Sequence, residues 1–131
     1  GHLIGSHTHS HINMGNTSPE KTNSELEKSR EMLLKYTGVA DHLSWPYGTF
    51  NDISKFGIES TFKHGFKSLS SAVRGYHAPI VKAEIPYEQI CIRRDHIIAD
   101  WPLAHINYFL FKTLNNYPNS AENKFPQHLH I

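Results

Sequence analysis

The sequence predicts an α/β fold, a layer or barrel built round a parallel sheet, on three observations. Apolar runs and helical patterns alternate in the order strand, helix, strand, helix, strand, then a longer loop, a strand and a helix. The helical stretches carry their own start and stop signals. The residues with chemistry in them cluster just after the apolar runs, where a parallel sheet presents the carboxyl ends of its strands.

The first run is short. Leu3 and Ile4 read as the end of a buried strand, and the chain opens on Gly1 rather than methionine, so the start is expected to be a break inside a domain. A vector-derived His-rich scar is the alternative, but tags are uniform His runs, unlike a strand-like stretch leading into spaced histidines. Ser18 then offers a helix cap, with Pro19 at the first helical position and Glu20 favourable at the positive end of the helix dipole. Leu26, Leu33 and Leu34 share a face, with Glu25, Glu27, Lys28, Arg30 and Glu31 largely elsewhere, until Gly38 supplies a stop. The expected helix covers residues 19 to 37.

Asp41 to Trp45 reads as a strand running into the tight turn Pro46-Tyr47-Gly48. Asn51 or Asp52 can cap a second helix that turns Ile53, Phe56 and Phe62 inward and ends at Gly65. Lys67 to Val73 and Gln89 to Ile98 read as further strands. Trp101 to Leu114 places Leu103, Ile106, Leu110 and Leu114 at helical spacing, which predicts a last amphipathic helix. From Tyr117 onward two prolines and several Asn and Ser predict a loose tail.

A chain of 131 residues fits one domain and is small for a complete barrel enzyme. A formal charge of +1 lacks the basic excess that a nucleic-acid partner requires. No apolar run approaches the roughly 20 residues that span a bilayer, and no basic segment followed by an apolar stretch marks an export signal, so a soluble chain is expected. With Cys91 alone there is neither an internal disulfide nor a cysteine zinc cage. Histidine is the unusual residue: four of the eleven fall within the first eleven positions.

Three of these, His7, His9 and His11, directly follow the first predicted strand. Imidazoles four residues apart converge on one ion if the segment bends, since neutral imidazole is the commonest zinc ligand. In an extended strand all three would instead form a surface stripe. A third ligand has to come from elsewhere in the fold. The second constellation, Ser44-Trp45-Pro46-Tyr47-Gly48-Thr49-Phe50, follows the next strand. A rigid proline and a glycine can aim a backbone N–H into a cleft, as stabilising a tetrahedral oxyanion demands; read alone, the segment is a turn.

Together the two motifs resemble the polysaccharide deacetylases of carbohydrate esterase family 4, the NodB-type domain. That family's His-Ser/Thr-Xaa-Xaa-His motif is matched by His7, Thr8 and His11, and its Arg-Xaa-Pro-Tyr-Gly motif by Pro46, Tyr47 and Gly48. Gly65 to Val73 resembles a later strand of the family, and Ile92-Arg93-Arg94 a segment that in some members ends in Leu-Pro-Arg. The resemblance covers residues 3 to 114, and only the first two motifs are specific. It implies a partial (β/α) barrel over residues 1 to 116 with its N-terminal strands missing, followed by the loose tail from 117 to 131.

The resemblance further implies a metal-dependent hydrolase removing N-acyl groups from amino sugars or polysaccharide. His7 and His11 would hold a divalent ion, zinc before cobalt or nickel, with His9 a neighbour and no ligand. The Tyr47 backbone N–H would hold the oxyanion, and Trp45, Pro46, Tyr47 and Arg94 would meet the carbohydrate, core packing being the alternative for Trp45. Three departures follow. The aspartate pair that serves the family as general base and third ligand would lie ahead of the histidines, where this chain has nothing, so weak zinc binding and negligible activity are expected. The motif arginine is Ser44. A late Leu-Xaa-Xaa-His acid is not evident, which leaves His105 and His96 as candidates. Two other readings compete: a carbohydrate-binding or structural remnant of the same fold, and a His-rich metal-binding surface unrelated to the family.

Overall fold

A computed structural model describes residues 2–75, 86–116 and 124–131. Gly1, most of the predicted loop after Val73 and the first part of the predicted tail lie outside these.

The sheet has three parallel strands in chain order, β1 (His42–Ser44), β2 (Ser68–Ser70) and β3 (Cys91–Ile92). Leu43 pairs with Leu69 and Leu69 with Cys91, so the register carries one apolar row across the sheet. The α/β class with a parallel sheet is therefore present, with strands shorter than the sequence suggests. Beyond Ser70 the chain leaves the ladder because Ala72 turns to donate to the Gly48 carbonyl at 2.9 Å. Beyond Ile92, Arg94 makes one 3.3 Å bond to Val73, and Asp95 then turns to Arg74.

The segment of Leu3 and Ile4 is not a strand. Its pairing is confined to Ser6, whose N–H donates to His42 O at 2.8 Å and whose carbonyl accepts from Ser44 N at 2.9 Å. Leu3 and Ile4 are exposed.

Helix α1 (Pro19–Thr37) starts and stops as its signals dictate: Ser18 Oγ accepts from Lys21 N, and Gly38, at φ 70°, closes the end in the left-handed conformation. Its buried stripe is Thr22, Glu25, Leu26 and Ser29, not Leu26, Leu33 and Leu34. Leu33 extends that stripe by one turn and is half-buried, whereas Leu34 points away and is exposed. Helix α2 (Lys55–Lys63) is capped by Ser54, which accepts from Gly57 N at 3.1 Å. Asp52 is occupied elsewhere, accepting from Thr49 N at 3.0 Å and from the Asn13 amide at 2.8 Å. Ile53 and Ile58 face the core, while Phe56 is exposed.

Helix α3 (Leu103–Asn116) forms as predicted, but its predicted inward face does not bury: Leu103 is 71% and Leu114 58% exposed. It docks instead through Thr113, which donates to Asp95, and through Phe109, which stacks on Trp101 and lies under the Arg74 guanidinium. The end of the chain corrects the loose-tail expectation. Phe125 and Leu129 are buried in the core, and Phe125 packs 6.2 Å from Trp45. The core sits between the helices and the sheet face of Leu43, Leu69 and Cys91. The opposite face carries His42, Ser44, Ser68 and Ser70, polar and half-buried, with His42 Nδ1 2.9 Å from Ser68 Oγ.

Candidate functional site

The site forms where the Ser6 segment and β1 run out side by side. Ser6 is pinned from both directions, by its backbone to β1 and by its hydroxyl to Ser29 of α1 at 2.9 Å. His7, the next residue, falls on the opposite face and beside Ser44. Its Nδ1 is 2.7 Å from the Ser44 carbonyl and 3.1 Å from Ser44 Oγ. A carbonyl oxygen only accepts, so Nδ1 carries the proton and the Nε2 lone pair faces outward, the tautomer that a metal ligand requires.

After His7 the backbone cannot stay extended. Thr8 and His11 have φ of 63° and 59°, and Tyr47, across from them, 64°. Left-handed backbone costs a non-glycine residue roughly 1–2 kcal/mol, so three such residues in one cluster need outside support. Glu25 supplies it for the histidine loop. Its Oε2 accepts from His9 N at 3.0 Å and Ser10 N at 2.6 Å, and its Oε1 accepts from Ser10 Oγ at 2.7 Å and Lys21 Nζ at 2.9 Å. Burial pushes the Glu25 carboxyl pKa up, but the bonds from Lys21 and Ser10 outweigh it and lower the value to about 2.

The bend decides between convergence and a surface stripe. The His7 and His11 rings lie with centroids 4.9 Å apart, edge to face, and His11 meets the Tyr47 ring at 5.1 Å. Two imidazoles on one tetrahedral zinc, with bonds near 2.0–2.1 Å, have centroids about 5 Å apart, a separation this pair matches. His9 is exposed and makes no ring contact with either among the described residues. A third ligand is another matter: among the described residues no group of three His, Cys, Asp or Glu side chains is placed to hold a metal ion.

The second motif divides. Trp45 and Pro46 are fully buried, and Trp45 donates from Nε1 to Thr49 O and packs between Phe50 and Phe125. These two are core residues, not sugar contacts, because the chain enters the turn from the buried side of β1. Tyr47 is 60% exposed beside His11, and among the described residues its N–H has no acceptor. Gly48 follows at φ 73°, where an added Cβ would come within 2.5 Å of the Ala72 side chain; only glycine lets the turn close on β2.

Arg94 shares a cleft of about 260 Å³ with His7, His42, Ser44 and Ser70. His96 lies in an adjoining cleft of about 170 Å³ with Ala72, Arg94 and Asp95. His105 lines neither: it is exposed on α3 with its ring edge-on to Trp101. Sequence reasoning missed Glu25 and the role of Ser44. Glu25 was legible in part, because it stands three residues after Thr22 and four before Ser29, on the stripe that buries.

A model of the polysaccharide deacetylase family matches residues 1–67, the stretch that holds both motifs. No curated protein matches the chain.

Proposed function

Starting from a chain that belongs to the polysaccharide deacetylase family, we propose that this site is a metal-dependent centre for hydrolysing the N-acyl group of an amino sugar or polysaccharide. One observation carries the reading: His7, whose Nδ1 faces the Ser44 carbonyl, lies ring to ring 4.9 Å from His11, next to Tyr47, whose N–H has no acceptor among the described residues. In this reading His7 and His11 hold the ion, zinc by ligand type and cobalt or nickel as substitutes. When bound, the ion would polarise the acyl carbonyl and supply a water acidic enough to act near neutral pH.

The remaining work belongs to the chain's own groups. The Ser44 carbonyl fixes the tautomer and orientation of His7, and Glu25 holds the turn that swings His11 back toward it. The Tyr47 N–H, aimed by Pro46 and Gly48, donates to the oxygen on which negative charge develops. The exposed Tyr47 ring offers a face to a sugar, and Arg94 a guanidinium to its substituents. A carbohydrate is the partner this set fits. Among the described residues no carboxylate joins the histidines, so a proton acceptor and a third ligand are both wanting, and turnover by these residues alone should be lower by about 10² to 10⁴.

The second reading is a fold that binds carbohydrate without chemistry. Amine release from an N-acetylglucosamine oligomer, with zinc or cobalt added, separates the two. The chain itself should release almost none, whereas a form with an Asp-Asp strand placed ahead of Gly1 should be active and should lose activity with His7→Ala or His11→Ala. An inactive extended form that still binds the oligomer would establish the second reading.

A further inference from the structure

Helix α3 carries an apolar stripe that the described residues leave uncovered. At about 100° of turn per residue, Leu103, Asn107, Leu110, Phe111 and Leu114 share one arc of the helix, and Phe109 and Thr113, through which α3 docks, fall outside it. The four apolar members, in that order, are 71%, 43%, 67% and 58% exposed. The stripe has no charge. Helix α3 contains no Asp or Glu, and Lys112, on the far flank, holds its Nζ 6.0 Å over the Tyr108 ring. Contiguous apolar surface of a few hundred Å² marks an interaction face. An uncharged face favours an equally uncharged partner, because a charge set against it would lose its water and gain no counter-ion.

We propose that this stripe is the contact surface of a weak homodimer, in which two copies of α3 lie antiparallel across a two-fold axis. Its spacing selects a second copy as the occupant. Leu103, Asn107, Leu110 and Leu114 stand four, three and four residues apart, a series that reads the same in both directions. Turning one copy over therefore lays the stripe on itself, with Leu103 of each copy against Leu114 of the other, as an isologous interface requires. The area also suits a pair. Large apolar side chains present on the order of 150–250 Å² when fully exposed, so the stripe and its flanks would bury about 600 Å² per copy, roughly 1,200 Å² in all, the lower bound for a specific complex. A dissociation constant of about 10–100 µM fits that size. No residue of the stripe lines the clefts beside His7, so the dimer stands or falls independently of the hydrolytic reading.

The test is sedimentation equilibrium of the 131-residue chain from about 1 µM to 1 mM, beside the variants Leu103→Glu and Leu114→Lys. The unaltered chain is expected to pass from monomer to dimer over this range. Each variant should need about ten-fold more protein or above, since its own dimer sets two charges against leucine. An equimolar mixture of the two variants should dimerise as well as the unaltered chain, because antiparallel copies bring the two opposite charges together and leave Leu114 of one copy against Leu103 of the other. Phe111→Ser, which removes contact area without adding charge, should weaken the dimer several-fold and gives a second route to the same loss. All three positions are exposed, so circular dichroism of the variants should match that of the unaltered chain. A chain that stays monomeric throughout would overturn the proposal. A dimer that none of the variants weakens would overturn its placement on α3, and variants that remain monomeric when mixed would overturn the antiparallel pairing.

Discussion

The Nδ1–H of His7 donates to the backbone carbonyl of Ser44 over 2.7 Å, joining the histidine loop to the strand beside it. Because the acceptor is main chain, the bond does not depend on the Ser44 side chain. Nitrogen-15 NMR of the neutral imidazole should show His7 as the Nδ1–H tautomer, and Ser44→Ala should leave it so. A predominant Nε2–H form would mean that His7 does not present a lone pair outward.

Glu25 predicts a pH dependence. A carboxyl lowered from 4.5 to about 2 stabilises the folded state fully above about pH 4.5, and that stability is lost as pH falls toward 2. The shift corresponds to roughly 3 kcal/mol for this buried group. Glu25→Gln should weaken the chain by a similar amount at pH 7 and flatten its stability between pH 4.5 and 2, measured by urea unfolding. An unchanged slope would assign the acid sensitivity to other groups.

The end of the chain should matter for stability. Phe125 is buried against Trp45, so Phe125→Ala should cost about 3–5 kcal/mol in urea unfolding, and Trp45→Ala a comparable amount. A loose tail would make the first substitution silent.

Cys91 should be inert in the native chain. Burial pushes its thiol up to about 11, with only partial relief from Ser71 and Arg93. A thiol reagent at pH 8 should label it slowly, at the rate of unfolding, and at once in urea. Rapid native labelling would show that the core opens locally at β3.

What could be read in advance divides along a physical line. Helix ends are local, so Ser18, Pro19 and Gly38 fixed α1 correctly. Which face of α1 buries is decided by what lies opposite, and Glu25 is inside because the amides of His9 and Ser10 need an acceptor there. No periodicity count weighs that. The histidine motif identified the pair, yet its convergence depends on left-handed backbone at Thr8 and His11, which non-glycine residues rarely adopt and spacing cannot foretell. Trp45 is buried because the turn is entered from the helix side of β1, and Phe125 because it finds Trp45 across 80 residues of chain. Both are tertiary facts.

His7 and His11, and not His9, are expected to share one ion. Cobalt and zinc titrations of the 131-residue chain, followed by cobalt absorbance and by histidine NMR shifts, test it most directly. The expected result is one weak site whose affinity falls about tenfold or more with His7→Ala or His11→Ala and is unchanged by His9→Ala. A loss with His9→Ala as large as that with His11→Ala, or a site that persists when His7 and His11 are both replaced, would contradict it.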